Sequence, residues 1–207
     1  MFDLAVRRRI DPVLDAIALR LARAGIGANA VTLAAFGIGA MAALAIAWQA
    51  FLVGAALILL SRLGDGLDGA VARAHARLHG AETHGTDLGG YLDIVLDFGF
   101  YGLVPLGFVV ADPAANGVAG ATLLAAFYFN GASFLAFAAI AERRGVVDTG
   151  PKAFLYTVGL MEGTETIAFF VMLCLLPGWF APLAYLFAAL TLITTLARIA
   201  LAFRTFR

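Results

Sequence analysis

Four aspartates stand at helical spacings inside hydrophobic sequence: Asp65 and Asp68 in one segment, Asp93 and Asp97 in the next. Carboxylates beside hydrocarbon are costly, so a group of them marks a functional site. Their mutual repulsion calls for a cation in their midst. Oxygen ligands without a histidine or cysteine partner favour hard cations such as Mg²⁺, Mn²⁺ or Ca²⁺ over zinc. Four carboxylates balance two divalent ions in formal charge, and two such ions beside an arginine suit the handling of a pyrophosphate. A single aspartate would read as a helix cap or an interfacial charge. Four of them in two helical registers do not.

Those registers say which elements must hold the site. Asp65, Asp68, Gly69 and Ala72 fall at i, i+3, i+4 and i+7, which is one face of a helix. Gly89, Asp93 and Asp97 repeat the pattern at i, i+4 and i+8. On each face the carboxylates can hold a cation, while the small residues leave room for a bulky group against the backbone. Six apolar stretches have the length that crosses a bilayer, about 20 residues each. They are placed near 30–48, 51–72, 88–111, 118–141, 158–176 and 180–202. The expected fold is therefore all-α, a six-transmembrane-helix bundle. The composition agrees: 62% of the 207 residues are hydrophobic and 14% charged, with a mean hydropathy of +0.93. An ordinary soluble domain has no use for that much apolar surface.

Charge placement sets the expected orientation. The loops at 48–51, 112–117 and 177–180 hold no Lys or Arg. The 14 basic residues are assigned to the N-terminal arm, the 73–87 and 141–157 loops, the C-terminal tail and span ends on that same side. By the positive-inside rule both termini and both acidic clusters lie at the cytoplasmic face. Residues 1–25 form an arm in which Phe2, Val6, Ile10, Val13, Leu14, Ile17 and Leu21 recur at helical steps between charges. That pattern predicts an N-terminal interfacial amphipathic helix bracing the bundle. No cleavable signal peptide is evident, and Cys174 can form no disulfide within a chain that has one cysteine. A single membrane domain over 1–207 is expected, with no nucleic-acid partner.

Asp65-x-x-Asp68-Gly69-x-x-Ala72-Arg73 followed by Gly89-x-x-x-Asp93-x-x-x-Asp97 resembles the signature of the CDP-alcohol phosphatidyltransferases. Nearly the whole chain, including Gly163-Thr164-Glu165, is similar to a bacterial inner-membrane branch of that family with no assigned substrate. The resemblance implies transfer of a substituted phosphate group from a CDP-linked donor, CDP-diacylglycerol or a soluble CDP-alcohol, to the hydroxyl of a small alcohol or lipid acceptor, releasing CMP. It implies two Mg²⁺ or Mn²⁺ ions on Asp65, Asp68, Asp93 and Asp97, with Asp97 also the base that takes the acceptor proton. Asp65, Gly69, Ala72 and Gly89 would meet the nucleotide, and Arg73 would hold phosphate or order the loop. A family motif before the first span has its counterpart in Ala28-Asn29-x-x-Thr32, which lacks the family's proline. Asn29 and Thr32 become nucleotide contacts, with helix capping the other role open to Asn29. The resemblance further implies a homodimer in the bacterial inner membrane. One departure stands out: 15 residues separate Arg73 from Gly89, more than the family's spacer, and they include His75, His79, Glu82, His84 and Asp87.

Other polar residues admit two readings. Glu162 and Glu165 belong to an acceptor pocket or pair with Lys152 or Arg198. Arg143, Arg144, Lys152 and Arg198 bind an acceptor phosphate or anchor the cytoplasmic side. His75 and His79 stand at i and i+4 but lack a third ligand, and Asn130 and Ser133 suit hydrogen bonds between helices. The competing function is a transporter that binds a cation through the carboxylates, although no broken-helix pair or inverted repeat is present. An inactive relative that binds a CDP-lipid is a third possibility.

Overall fold

The computed structural model describes residues 14–79, 86–145 and 163–206. Among them the chain is helical, with no strand. A first helix, α1, covers residues 14–23. It is followed by α2 (Ala28–Ala47), α3 (Phe51–His79), α4 (Asp87–Ala111), α5 (Pro113–Arg143), α6 (Gly163–Leu175) and α7 (Phe180–Thr205), with a short 3₁₀ turn at Pro177–Trp179 before α7. Among the described residues, four helical stretches are long and apolar enough to cross a membrane: α2, α4, α5 and Pro177–Thr205. The predicted second span, α3, is long enough but carries Arg62, Asp65, Asp68 and Arg73. The fifth, α6, has 13 described residues, and the rest of its predicted range, 158–162, lies outside the described residues. Trp48, Leu52, Val118 and Tyr128 are each more than 70% exposed. Hydrocarbon is the solvent in which such a surface is at home.

The chain divides into two compact units. The first holds the described residues of Met1–Ala45 with Leu52–Val104. Its helices approach closely because small residues stand where they meet: a Cβ on Gly64 would come within 3.0 Å of Ala35 Cβ, and one on Gly99 within 3.0 Å of the Phe36 ring. At one end, Ala18 and Ala22 of α1 are buried with Val31, Ala70, Val71 and Ala74, and Leu21 packs against them. The arm is thus docked through an alanine stripe, while Ile17 is 41% exposed. Its more N-terminal apolar positions, Phe2, Val6, Ile10 and Val13, lie outside the described residues. Gly25, at φ +77°, ends α1 with paired bonds from Gly25 N to Ala22 O and from Ile26 N to Leu21 O.

The predicted second span ended near residue 72, but α3 continues to His79. The reason lies in packing rather than hydropathy. Ala74 and Ala76 are buried, Ala74 within the cluster that docks α1, and the His75 ring bonds to Ile26 O at 2.9 Å. Part of the long spacer is therefore helix that supports the arm. Glu82, His84 and the side chain of His79 lie outside the described residues.

The second unit holds Ile46–Phe51 and Pro105–Arg207. Its core is aromatic: Phe51 stacks on Phe108 and Phe108 on Phe180, with centroids 5.8 and 5.0 Å apart, and Phe169 stacks on Phe187 at 4.0 Å. Asp112 caps α5 through a bond from Ala115 N, with Pro113 in the first turn. α5 and α7 are joined by a polar clasp in which Arg198 Nη1 donates to Asn130 O, Asn130 Oδ1 and Ser133 Oγ at 3.2, 2.9 and 2.9 Å. The interhelical role read for Asn130 and Ser133 is the one they perform.

Candidate functional site

The acidic residues come together in the first unit, on α3 and α4. Asp65, Asp93 and Asp97 each place a carboxylate oxygen within 4.8 Å of the others. Asp93 is exposed and the other two are part-buried, so the cluster opens outward and is floored by its own helices. Three converging carboxylate oxygens are the donor set a hard divalent ion takes, and they leave positions for a substrate's phosphate oxygens. The residues present fit such an ion.

Asp68 is not one of the three. Its Oδ2 accepts a bond of 2.6 Å from Thr32 Oγ1 on α2. The Thr32 hydroxyl also lies 3.1 Å from Ala28 O, but it has one proton, and the short bond to a charged acceptor is the stronger. Thr32 is 5% exposed. The motif residue read as a nucleotide contact therefore holds the second aspartate of the signature.

Asn29 lies inside α2. The first amides of that helix, those of Ala30 and Val31, reach Gly27 O. Asn29 is therefore not the cap, and its Oδ1 faces α4: a Cβ built on Gly89 would lie 3.2 Å from that oxygen. Thr86 supplies the cap of α4, accepting a bond of 3.1 Å from Gly89 N. A threonine three residues before Gly89 was the sequence signal for that cap. At Gly69, a Cβ would meet, among the described residues, Arg73 Nη1 at 3.5 Å. Among the described residues no other atom crowds that face beside Asp65 and Asp68. Ala72 is part-buried on that helix, and Arg73 is half-exposed with Nη2 3.9 Å from Asp15 Oδ1 on α1.

One participant was not expected. Arg62, one turn before Asp65, places Nη1 2.6 Å from Asp97 Oδ1 and 3.5 Å from Asp65 Oδ2. Its side chain is 10% exposed, and its guanidinium carbon stands 4.0 Å over the Phe100 ring. Charge placement puts every basic residue in an arm, loop, tail or span end, yet Arg62 lies within α3 among the carboxylates. An arginine three residues before an aspartate in apolar sequence was the signal that could have found it.

The remaining candidates are elsewhere. Glu165 is exposed in the first turn of α6, while Glu162 and Lys152 lie outside the described residues. Arg144 donates to Phe206 O at 2.9 Å, and Arg143 is exposed in the last turn of α5. Asp87 is exposed in the first turn of α4. Cys174 is buried.

No family model matches the chain. It is, however, 46% identical over 203 residues to the inner membrane protein YnjF of Escherichia coli K12, a match covering 96% of this chain and 94% of the relative. It is 37% identical over 106 residues to the archaetidylinositol phosphate synthase of Methanothermobacter thermautotrophicus, covering 51% of this chain and 47% of that protein. The crystal structure of the Mycobacterium tuberculosis phosphatidylinositol phosphate synthase with CDP-DAG bound shares the fold, with a TM-score of 0.65 and 22% identity over 91% of this chain and 92% of that one. With the two-part aspartate signature filled and these likenesses beside it, the chain belongs to the CDP-alcohol phosphatidyltransferases.

Proposed function

We propose that this protein is a membrane enzyme that transfers a substituted phosphate group from a CDP-linked donor, CDP-diacylglycerol, to the hydroxyl of a small alcohol or lipid acceptor, releasing CMP. The observation that carries the reading is the convergence of Asp65, Asp93 and Asp97 oxygens within 4.8 Å of one another. Two Mg²⁺ or Mn²⁺ ions held by Asp65, Asp68, Asp93 and Asp97 would supply charge stabilisation at the phosphorus oxygens and at departing CMP. In the transfer, the acceptor oxygen forms a bond to the donor phosphorus while the bond from that phosphorus to the CMP oxygen breaks. The acceptor proton passes to the Asp97 carboxylate, and the electron pair leaves with CMP. Thr32 holds Asp68 in place, Gly69, Ala72 and Gly89 admit the nucleotide to the backbone, Asn29 contacts it, and Arg73 meets phosphate at the rim.

The same reading makes 1–207 one membrane domain of six spans, among them the charge-bearing α3 and the apolar α6, of which 13 residues are described. Both termini and the site face the cytoplasm of a bacterial inner membrane, and the enzyme acts as a homodimer. One observation supports the orientation, and a second supports placing two turns at a membrane boundary. The turns at 48–50 and 177–179 carry no basic residue, and each presents one of the chain's two tryptophans, Trp48 82% and Trp179 63% exposed. Exposed indoles suit the headgroup boundary.

The test is CMP release from CDP-diacylglycerol by the detergent-purified chain across a panel of acceptor alcohols. Divalent-dependent CMP release that Asp97→Asn abolishes is the expected result. Cation flux in vesicles without CMP release would instead favour a transporter, and donor binding without turnover an inactive relative.

A further inference from the structure

We propose that Arg62 is a resident counter-cation of the carboxylate cluster: it holds Asp97 in place and weakens the hold of the site on divalent ions. The proposal rests on the metal-dependent reading above and concerns a residue outside the aspartate signature. Arg62 is fixed from several sides. Nη1 bridges Asp97 Oδ1 and Asp65 Oδ2. Nη2 donates to Ser61 Oγ at 3.2 Å, and that fully buried hydroxyl donates to Ala35 O at 2.8 Å. The Phe100 ring covers one face of the guanidinium. Room for this arrangement comes from Gly39, where a Cβ would lie 2.7 Å from Phe100 Cδ2 and 2.9 Å from Ser61 Oγ. A solvated arginine that merely drifted toward an acidic patch would have none of these restraints.

The position has an electrostatic consequence. Nη1 touches two of the three carboxylates that converge, so its charge repels any cation that shares them. Four carboxylates against one guanidinium leave three formal negative charges rather than four. The bond to Oδ1 also fixes the rotation of the Asp97 carboxylate, which leaves Oδ2 as the oxygen to face a ligand or a proton. Arg62 is thus a positioning residue, and removing its charge should tighten metal binding while impairing turnover.

The experiment is a titration of the detergent-purified full chain with Mn²⁺ alone, free ion being followed by electron paramagnetic resonance, with kcat and KM for CMP release measured in parallel. Arg62→Met keeps much of the length and removes the charge. It should bind Mn²⁺ at least about tenfold more tightly, equivalent to 1.4 kcal/mol, and lose kcat more than it changes the donor KM. Arg62→Lys keeps the charge, and its Mn²⁺ affinity should stay within about threefold of the parent. Should Arg62→Met bind Mn²⁺ no more tightly than the parent, Arg62 is an ordinary structural contact and the proposal is wrong. Equal tightening by Arg62→Lys overturns the charge argument, and this variant decides the matter if Arg62→Met does not fold. If the parent itself binds no Mn²⁺, the metal-dependent reading fails along with the proposal, whereas failure of Arg62→Met beside a binding parent leaves that reading intact.

Discussion

Each of the two units contains a part-buried arginine against an aromatic ring, and the hydrogen-bond acceptors described for the two differ. Arg62 lies 4.0 Å from the Phe100 centroid and spends Nη1 on carboxylates. Arg198 lies 5.4 Å from the Phe134 centroid and gives Nη1 to a backbone carbonyl, an amide oxygen and a hydroxyl. Those acceptors are dipoles that gain from a cation and require nothing further. In a bundle surrounded by hydrocarbon, a clasp of that type fastens α5 to α7. Around Arg62 the carboxylates outnumber the guanidinium, and the excess negative charge has to be met by something from outside the chain. Both arginines reinforce packing, and the one among the carboxylates leaves a site with an appetite for cations. The apolar cavity beside Arg198 makes the same contrast: it holds about 400 Å³, lined by Phe137, Ile140, Phe203 and Phe206, with Ser133 the polar exception near the guanidinium.

The sharpest way to break this comparison is to remove an excess carboxylate. Asp65→Asn or Asp93→Asn should lower kcat/KM for CMP release at least about a hundredfold, since losing a partner at a metal site costs that order of activity. The melting temperature without metal should hold or rise, because repulsion among the acids is relieved. An equivalent loss of thermal stability would mean that the acids are structural, as the residues around Arg198 are. In the other unit, Asn130→Ala removes an acceptor from a part-buried guanidinium and should cost about 1 kcal/mol of stability. Thermal unfolding in detergent reads that loss, and Mn²⁺ affinity should not move. A change in Mn²⁺ affinity would make the clasp part of the ion site and erase the distinction.

The spacing of the aspartates made their convergence legible, because Asp65 on one helix and Asp93 and Asp97 on the next must share an end if the helices are adjacent and antiparallel. The same spacing was silent about Asp68. Its place with Thr32 depends on how α2 crosses α3, and a helical register carries no such information. Arg62 escaped notice for a related reason: lone arginines in apolar sequence read as anchors at the interface, and only the approach of α4 shows what this one meets. Hydropathy fades near residue 72 while the helix runs on to His79, because Ala74 is buried against another helix.

Thr32 allows a subtler change within the charged unit. Thr32→Val keeps the shape and removes the hydroxyl that binds Asp68 Oδ2 at 2.6 Å. Asp68 then loses its tether while every carboxylate remains, so the charge excess is untouched. The expected loss is about tenfold in kcat/KM, the lower end of what a supporting hydrogen bond at a metal site contributes. Thr32→Ser restores the hydroxyl and should restore most of the activity. If valine and serine behave alike, Thr32 acts through packing, and Asp68 is placed by α3 alone.

The smallest effect belongs to the exposed pair at the rim. Arg73 and Asp15 are 49% and 47% exposed and 3.9 Å apart, a geometry worth between nothing and about 1 kcal/mol. Asp15→Asn should therefore leave the melting temperature nearly unchanged, in contrast with Asn130→Ala. It also takes a competing anion from Arg73 on the face beside Gly69. If Arg73 meets the donor's phosphate, freeing it should lower the donor KM slightly, by about twofold, and leave kcat alone. A rise in donor KM would show that Asp15 holds Arg73 where the donor needs it, which would extend the ordered charge of the site from Arg62 to the rim.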